Sequence, residues 1–253
     1  MKYIVVYLVL LAAFTLVFFI GKKKQKHDYL DIFWGMGFIT AALISYLLGS
    51  KPANGGLMTL LVILWGGRLT YYLAKRNIGK PEDFRYKAMR EKWKKNFELV
   101  MYFKMYLLQF ALNAFIGFPI VFVNLQGARG PGFFTWLGFL VWLTGFAFEV
   151  IGDEQLRRFK GKPENKGKLM TTGLWALTRH PNYFGEAVIW WGLFIISLTG
   201  DFSRVFLIYS PLLITFLLVY VSGVPMLEKK YEGRADWEAY KKTTNKFLPG
   251  RPR

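Results

Sequence analysis

The sequence predicts an all-α fold, a polytopic membrane bundle of about seven transmembrane helices with its N-terminus outside and its C-terminus in the cytoplasm. Three observations predict it. The chain of 253 residues is 53% hydrophobic, and its apolar residues fall in runs close to the ~20 residues a helix needs to cross the hydrocarbon core. Period-2 alternation is missing, which excludes the closed barrel, the other structure able to satisfy its backbone in lipid. The basic residues are distributed very unevenly between alternate connections.

In chain order, the runs place spans near Tyr3–Ile20, Asp31–Gly49, Leu57–Leu73, Met101–Val123, Phe133–Ile151, Tyr183–Thr199 and Val205–Val224. The first is followed by Lys22, Lys23, Lys24 and Lys26 in place of a small-residue cleavage site, so it reads as a retained span. Glycines and a tryptophan pair interrupt the sixth. With seven spans, the segments on one side hold 28 lysines and arginines and those on the other hold four. This positive-inside asymmetry sets the orientation. The chain shows no repeat and no separating linker, so 1–253 reads as a single transmembrane domain. Its lysine-rich short loops fit a multi-pass protein of a bacterial inner membrane.

The formal net charge of +18 is accounted for by inner-loop bias and attraction to anionic lipid. No groove-reading motif accompanies it, so nucleic acid is not an expected partner. The chain has no cysteine and only two histidines, His27 and His180. That excludes disulfides, iron–sulfur clusters and thiolate catalysis, and no metal-ligating constellation can be assembled. Between 82 and 100, Tyr86, Met89, Trp93 and Phe97 recur at helical spacing among lysines, as in an amphipathic helix lying on the inner membrane surface.

Ionisable residues within spans are costly in lipid and mark function by default. Asp31 starts span two. Arg68 lies eight residues before Arg76, roughly 12 Å deeper at 1.5 Å per residue, and Trp65, Arg68, Tyr72 and Arg76 share one helix face. Lys104 is shallow and snorkels to the interface. Span five continues as a helix into the cytoplasm with Glu149, Asp153, Arg157 and Lys160 on one face. A turn-rich stretch, 161–167, follows. Pro181 then suits the first turn of a helix, from which Asn182, Glu186 and Trp190 line one face. Asp31 also reads as a helix-start residue, and Arg68 and Glu186 as a structural pair.

These groups fall in the inner half of the membrane. Seven basic residues between 157 and 179, followed by a helix N-terminus, suit a phosphorylated ligand, with tryptophans and tyrosines nearby to wall a planar ring. The layout fits a nucleotide cofactor entering from the cytoplasm to meet a lipophilic small-molecule substrate entering from the bilayer.

The segment Gly173–Glu186, ending Thr-Arg-His-Pro-Asn-Tyr-Phe-Gly-Glu, resembles the steroid 5α-reductase family, especially its bacterial branch. Trp34-Gly35, Trp65-Gly66-Gly67-Arg68-Leu69, Asp153 with Leu156, and the tail Tyr240-Lys241-Lys242-Thr243 leading to Phe247 and Pro249 extend the resemblance over nearly the whole chain. It implies seven spans, NADPH bound from the cytoplasm, and reduction of a carbon–carbon double bond conjugated to a carbonyl. On the matching motif, Asn182 and Glu186 would hold the nicotinamide carboxamide, and Asp153 would contact the cofactor. Lys160, Lys168 and Arg179 are the phosphate binders by charge and place, with Arg76, Arg157, His180 and Tyr183 as further cofactor contacts. Asp31 stands where the family carries the acid that stabilises the developing enolate, and would need apolar burial to stay protonated. Trp34, Trp65 and Arg68 would face the substrate. Where steroid-reducing members carry a tyrosine this chain has Trp65, which cannot act as a phenol, and Tyr72 is the expected substitute.

The isoprenylcysteine carboxyl methyltransferases and their phospholipid-methylating relatives share the Arg-His-Pro-x-Tyr-x-Gly stretch and use S-adenosylmethionine. An aromatic residue usually follows the glycine there, whereas this chain has Glu186. The third reading is a non-catalytic lipid-binding membrane protein.

Overall fold

The computed structural model describes residues 1–251, which form helices and turns with no strand among them. They divide into two compact units, Met1–Pro131 and Gly132–Arg253. Six helical stretches are long and apolar enough to cross a membrane, so the chain is a helical, multi-pass membrane protein.

The first unit contains α1 (Lys2–Lys24), α2 (Tyr29–Leu48), α3 (Ala53–Asn77), α4 (Phe84–Trp93), α5 (Phe97–Met101) and α6 (Leu107–Gln126). A 3-10 turn, Lys94–Asn96, joins α4 to α5, and a π turn, Tyr102–Tyr106, joins α5 to α6. The expected surface helix and fourth span thus follow one another directly, with the helix broken between them at Lys94, whose φ of 43° is left-handed. α2 is central and packs on α1, α3 and α6. Its contact with α3 is backbone to backbone: a Cβ placed on Gly35 would lie 2.5 Å from the Gly66 carbonyl oxygen, and one on Gly66 would lie 2.8 Å from that of Gly35. Glycines at a crossing let two helices approach closely without the hydrophobic effect to drive them, as membrane packing requires. Farther along the same interior, the Asn124 amide donates to Ala42 O, Ser45 Oγ and Thr59 Oγ1, tying α6 to both α2 and α3.

The second unit contains α7 (Phe133–Lys160), α8 (Leu174–Leu177), α9 (Pro181–Leu198), α10 (Tyr209–Phe216), α11 (Val224–Lys229) and α12 (Ala235–Thr243). A 3-10 stretch, Phe202–Ile208, precedes α10 and a π turn, Leu217–Val221, follows it. The helical continuation expected of span five is present, since α7 runs unbroken to Lys160. α9 forms where the sixth span was expected, with Pro181 in its first turn, but it is not among the six apolar stretches. Its opening Pro-Asn-Tyr and Glu186 dilute an already short helix. Twelve of its eighteen residues are buried, against seven of the twenty-eight in α7.

Glycines seven residues apart join α7 to α9. Gly138, Gly145 and Gly152 on α7 meet Gly192, Gly185 and the Pro181–Asn182 turn of α9. A Cβ on Gly145 would lie 2.6 Å from the Gly185 carbonyl oxygen, and one on Gly138 would lie 2.6 Å from that of Gly192. A seven-residue spacing is nearly two helical turns, so it keeps the seam on one face of each helix. The seam brings the C-terminal end of α7 against the first turn of α9.

Candidate functional site

On the second unit, the seam juxtaposes Asp153 and Asn182. The Asn182 Nδ2 donates to Asp153 Oδ1 at 3.1 Å. An ionised carboxylate only accepts, so this contact fixes which way the amide points and turns Asn182 Oδ1 the other way. That oxygen is buried and has no hydrogen-bond partner. A buried acceptor left unmatched is costly, and a ligand N–H would satisfy it. Glu186, one turn along the same face of α9, is buried, as are Asp153 and Glu149 of α7.

The segment leading into α9 is built from the inside. Trp175 Nε1 donates to Gly152 O at 3.0 Å, and the Leu174 amide donates to Gln155 Oε1 at 3.0 Å, which seats α8 on α7. The C-terminal tail encloses the same segment. The Tyr240 hydroxyl donates to Trp175 O, Thr178 Oγ1 to Phe247 O at 2.8 Å, and the Gly250 amide to Leu177 O. The tail residues of the resemblance are thus the braces of its central motif.

Arg179 and His180 belong to this brace. Arg179 is buried; its Nε donates to Glu228 Oε1 at 3.0 Å and its Nη1 to Thr244 O at 2.8 Å, and its guanidinium lies 5.5 Å from the Trp237 ring centre. His180 Nε2 shares Glu228 Oε1 at 3.0 Å, and its ring stacks on Tyr183 at 5.9 Å. Burial pulls the His180 imidazole below its ordinary range, against the opposing pull of Glu228. Arg157, Lys160 and Lys168 are exposed; Arg157 forms a two-pronged pair with Glu154.

On the first unit, Asp31 lies in the opening turn of α2. Its surroundings differ from the apolar pocket expected for a protonated acid. Arg85 Nη2 donates to Oδ2 at 2.5 Å and the Tyr86 hydroxyl donates to Oδ1 at 2.7 Å, so Asp31 acts as an acceptor. Asp83, which caps α4 through the Arg85 amide, also receives Arg85 Nε at 2.9 Å. Burial pushes the Asp83 carboxyl up, but the hydrogen bonds and charge of Arg85 outweigh it and hold it below its ordinary value. Trp65 is fully buried and lies 5.6 Å from Phe38, onto whose ring Trp34 packs edge-on at 5.0 Å. The Arg68 guanidinium lies 5.5 Å from the Tyr72 ring centre, a cation–π pair on the face the sequence assigned them. Arg76 is exposed and donates to Asn77 Oδ1 at 3.0 Å.

Sequence reasoning missed Arg85 and Tyr86 as the partners of Asp31. The available signal was an Arg-Tyr pair on the helix that follows a carboxylate at a span end. Among the described residues, no group of three or more His, Cys, Asp or Glu side chains could hold a metal ion.

The model of the family described as "Protein of unknown function (DUF1295)" matches residues 17–244. The chain belongs to this family. Its matched region reaches into both units and takes in Asp31, Asp153, Asn182 and Glu186, ending before Phe247 and Gly250 of the tail. The chain is also similar to an uncharacterized protein of Schizosaccharomyces pombe, 28% identical over 178 residues that cover 60% of this chain and 51% of the relative. A probable O-methyltransferase, ustE, of Ustilaginoidea virens is 38% identical over 60 residues, 24% of this chain and 21% of its own length. The chain therefore spans about half the length of the first relative and about a fifth of the second. No solved structure matches the chain significantly.

Proposed function

We propose that this protein is an NADPH-dependent membrane oxidoreductase that reduces a carbon–carbon double bond conjugated to a carbonyl in a lipophilic, steroid- or lipid-like substrate. The observation that carries the reading is Asn182, whose buried Oδ1 has no partner while Asp153 fixes the amide. A primary carboxamide such as that of nicotinamide offers the matching N–H donor. The steroid 5α-reductase resemblance, which assigns this asparagine and Glu186 to the nicotinamide end, supports the same reading.

NADPH, when bound, supplies the hydride. Asn182 would accept the carboxamide N–H, and Glu186 on the same face of α9 would provide a second acceptor for that end. Lys160, Lys168 and Arg157 provide the exposed positive charge for the phosphates; Arg76 adds to the basic surface of the first unit. Arg179 and His180 brace the motif through Glu228, so their contribution is positional, and Tyr183 contributes through its stack on His180. On the substrate side, Asp31 orients the Tyr86 hydroxyl and neutralises Arg85. To stand in for the phenol missing at Trp65, the Tyr86 hydroxyl would turn its one proton from Asp31 to the substrate oxygen; Tyr72, whose ring carries Arg68, is the other candidate phenol. A phenol and a guanidinium are donors suited to charge growing on a carbonyl oxygen. The N-terminus outside and C-terminus inside is the orientation that presents these basic segments to a cytoplasmic cofactor.

A second reading, an S-adenosylmethionine-dependent methyltransferase, is favoured by the local similarity to the probable O-methyltransferase. Thermal unfolding of the detergent-purified protein separates the two. NADPH is expected to raise the melting temperature and S-adenosylmethionine to leave it unchanged. Stabilisation by S-adenosylmethionine alone would replace the first reading with the second.

A further inference from the structure

A groove of about 480 Å³ opens on the apolar surface of the first unit, within the ~300–1,000 Å³ range of ligand clefts. Thr15, Phe18 and Phe19 of α1 form one wall, and Tyr102, at the start of the π turn, faces them. Thr15 and Tyr102 share a hydrogen bond of 2.9 Å. Helical register orders the groove from there. Lys22 follows Thr15 by seven residues, roughly 10 Å along the axis, and Glu98 precedes Tyr102 by one turn. Both charges therefore lie at the end where α1 runs into Lys22–Lys24 and leaves the apolar stretch.

The two charges have opposite signs, and both retain hydrogen-bonding capacity. Lys22 is exposed. The Glu98 side chain is 30% exposed, with Oε2 at 3.2 Å from His27 Nε2 and Oε1 at a long 3.8 Å from Arg90 Nη1. A carboxylate can accept about four hydrogen bonds, so those neighbours leave lone pairs for a ligand. A purely anionic headgroup would meet Glu98 unfavourably, and a quaternary ammonium has no N–H to give it.

We propose that this groove is a site for a phospholipid whose headgroup carries a phosphate and a primary ammonium, as phosphatidylethanolamine does. Lys22 pairs with the phosphate, Glu98 accepts from the ammonium, and an acyl chain follows Phe18 and Phe19 toward the Thr15–Tyr102 pair. The site uses none of the residues assigned to cofactor or carbonyl chemistry.

Native mass spectrometry of the full chain, released from detergent with equimolar phosphatidylethanolamine, phosphatidylcholine and phosphatidylglycerol, tests it. A charge-assisted hydrogen bond to the ammonium is expected to favour phosphatidylethanolamine about tenfold over the other two. Glu98→Gln should abolish that preference, Lys22→Ala should weaken retention of all three lipids alike, and Leu99→Trp, which fills the groove from an exposed position, should remove the preference with the site. Lys23→Ala, one residue along α1 and outside the groove, should leave it unchanged. Equal retention of the three lipids, preference for phosphatidylglycerol, or a preference that survives both Glu98→Gln and Leu99→Trp would overturn the proposal.

Discussion

Asn182 donates its amide N–H to Asp153 at 3.1 Å because Gly152 and the Pro181–Asn182 turn meet at the end of a glycine seam. The backbone approach and the side-chain orientation are parts of one device, in which α7 and α9 touch closely enough for a carboxylate to fix an amide. What remains is a buried oxygen with a ligand-shaped need.

Replacing Asn182 tests that need directly. Asn182→Ala removes the acceptor and is expected to weaken NADPH binding about tenfold or more, since one hydrogen bond to a buried group is at stake. Glu186→Gln should weaken binding too. Titration of NADPH into the purified variants, followed by nucleotide fluorescence, gives the two affinities. Unchanged binding in Asn182→Ala would remove the observation on which the reductase reading stands.

Gly66 and Gly67 are adjacent in α3 but have opposite surroundings. A Cβ at Gly66 meets the Gly35 carbonyl oxygen and the Ile39 side chain, whereas a Cβ at Gly67 meets nothing within 4 Å. Gly66→Ala is expected to destabilise the protein by about 1–3 kcal/mol through overpacking. Gly67→Ala is expected to be neutral or to stabilise by up to about 1 kcal/mol, because alanine loses less backbone freedom in a helix. Melting temperatures of the two variants in one detergent decide the matter; equal shifts would mean that the α2–α3 crossing is looser than described.

Much of this could be read from residue order. The apolar runs and the basic asymmetry indicated a helical membrane chain, and the four-residue spacing of Asn182, Glu186 and Trp190 placed them on one face of a real helix. The partner of a residue was harder to read. Asp31 looked like an isolated acid because its donors, Arg85 and Tyr86, lie more than fifty positions away on a helix assigned only to the membrane surface. Arg179 looked like a phosphate binder because charge is visible in sequence, whereas its enclosure by Glu228, Thr244 and Trp237 depends on how the tail folds back. The glycine seam was legible in the heptad spacing of Gly138, Gly145 and Gly152, but its partners in the sixth span, Gly185 and Gly192, read as interruptions of an apolar run.

Asp31 and Tyr86 make separable predictions. Asp31→Asn keeps the shape but weakens the hold on Arg85 and Tyr86, and it is expected to slow turnover of a lipophilic enone while sparing NADPH binding. Tyr86→Phe deletes the phenol and should slow turnover at least as much. NADPH consumption with a panel of such enones, alongside cofactor affinity, tests both. Full turnover in Tyr86→Phe would return the proton-side role to another donor.

The two histidines set the response to acid. His27 is fully buried between α1 and α2, with Nδ1 at 3.0 Å from the Tyr106 hydroxyl and Nε2 at 3.2 Å from Glu98. Burial pulls its pKa below the ordinary 6.5, opposed by Glu98 and Glu82 and assisted by Arg90. The unfolded chain therefore binds more protons than the folded one below about pH 6.5, and linkage makes stability fall as pH drops through that window. Each histidine contributes at most about 1.4 kcal/mol per pH unit. His180, also lowered by burial, acts in the same sense. Asp28, raised by burial, acts in the opposite sense at lower pH, so the useful window is pH 5 to 6.5. His27→Gln should flatten the fall of melting temperature across it, and adding His180→Gln should flatten it further, whatever each change does to stability at pH 7.5. An undiminished slope in the double variant would show that acid acts on the fold through other groups.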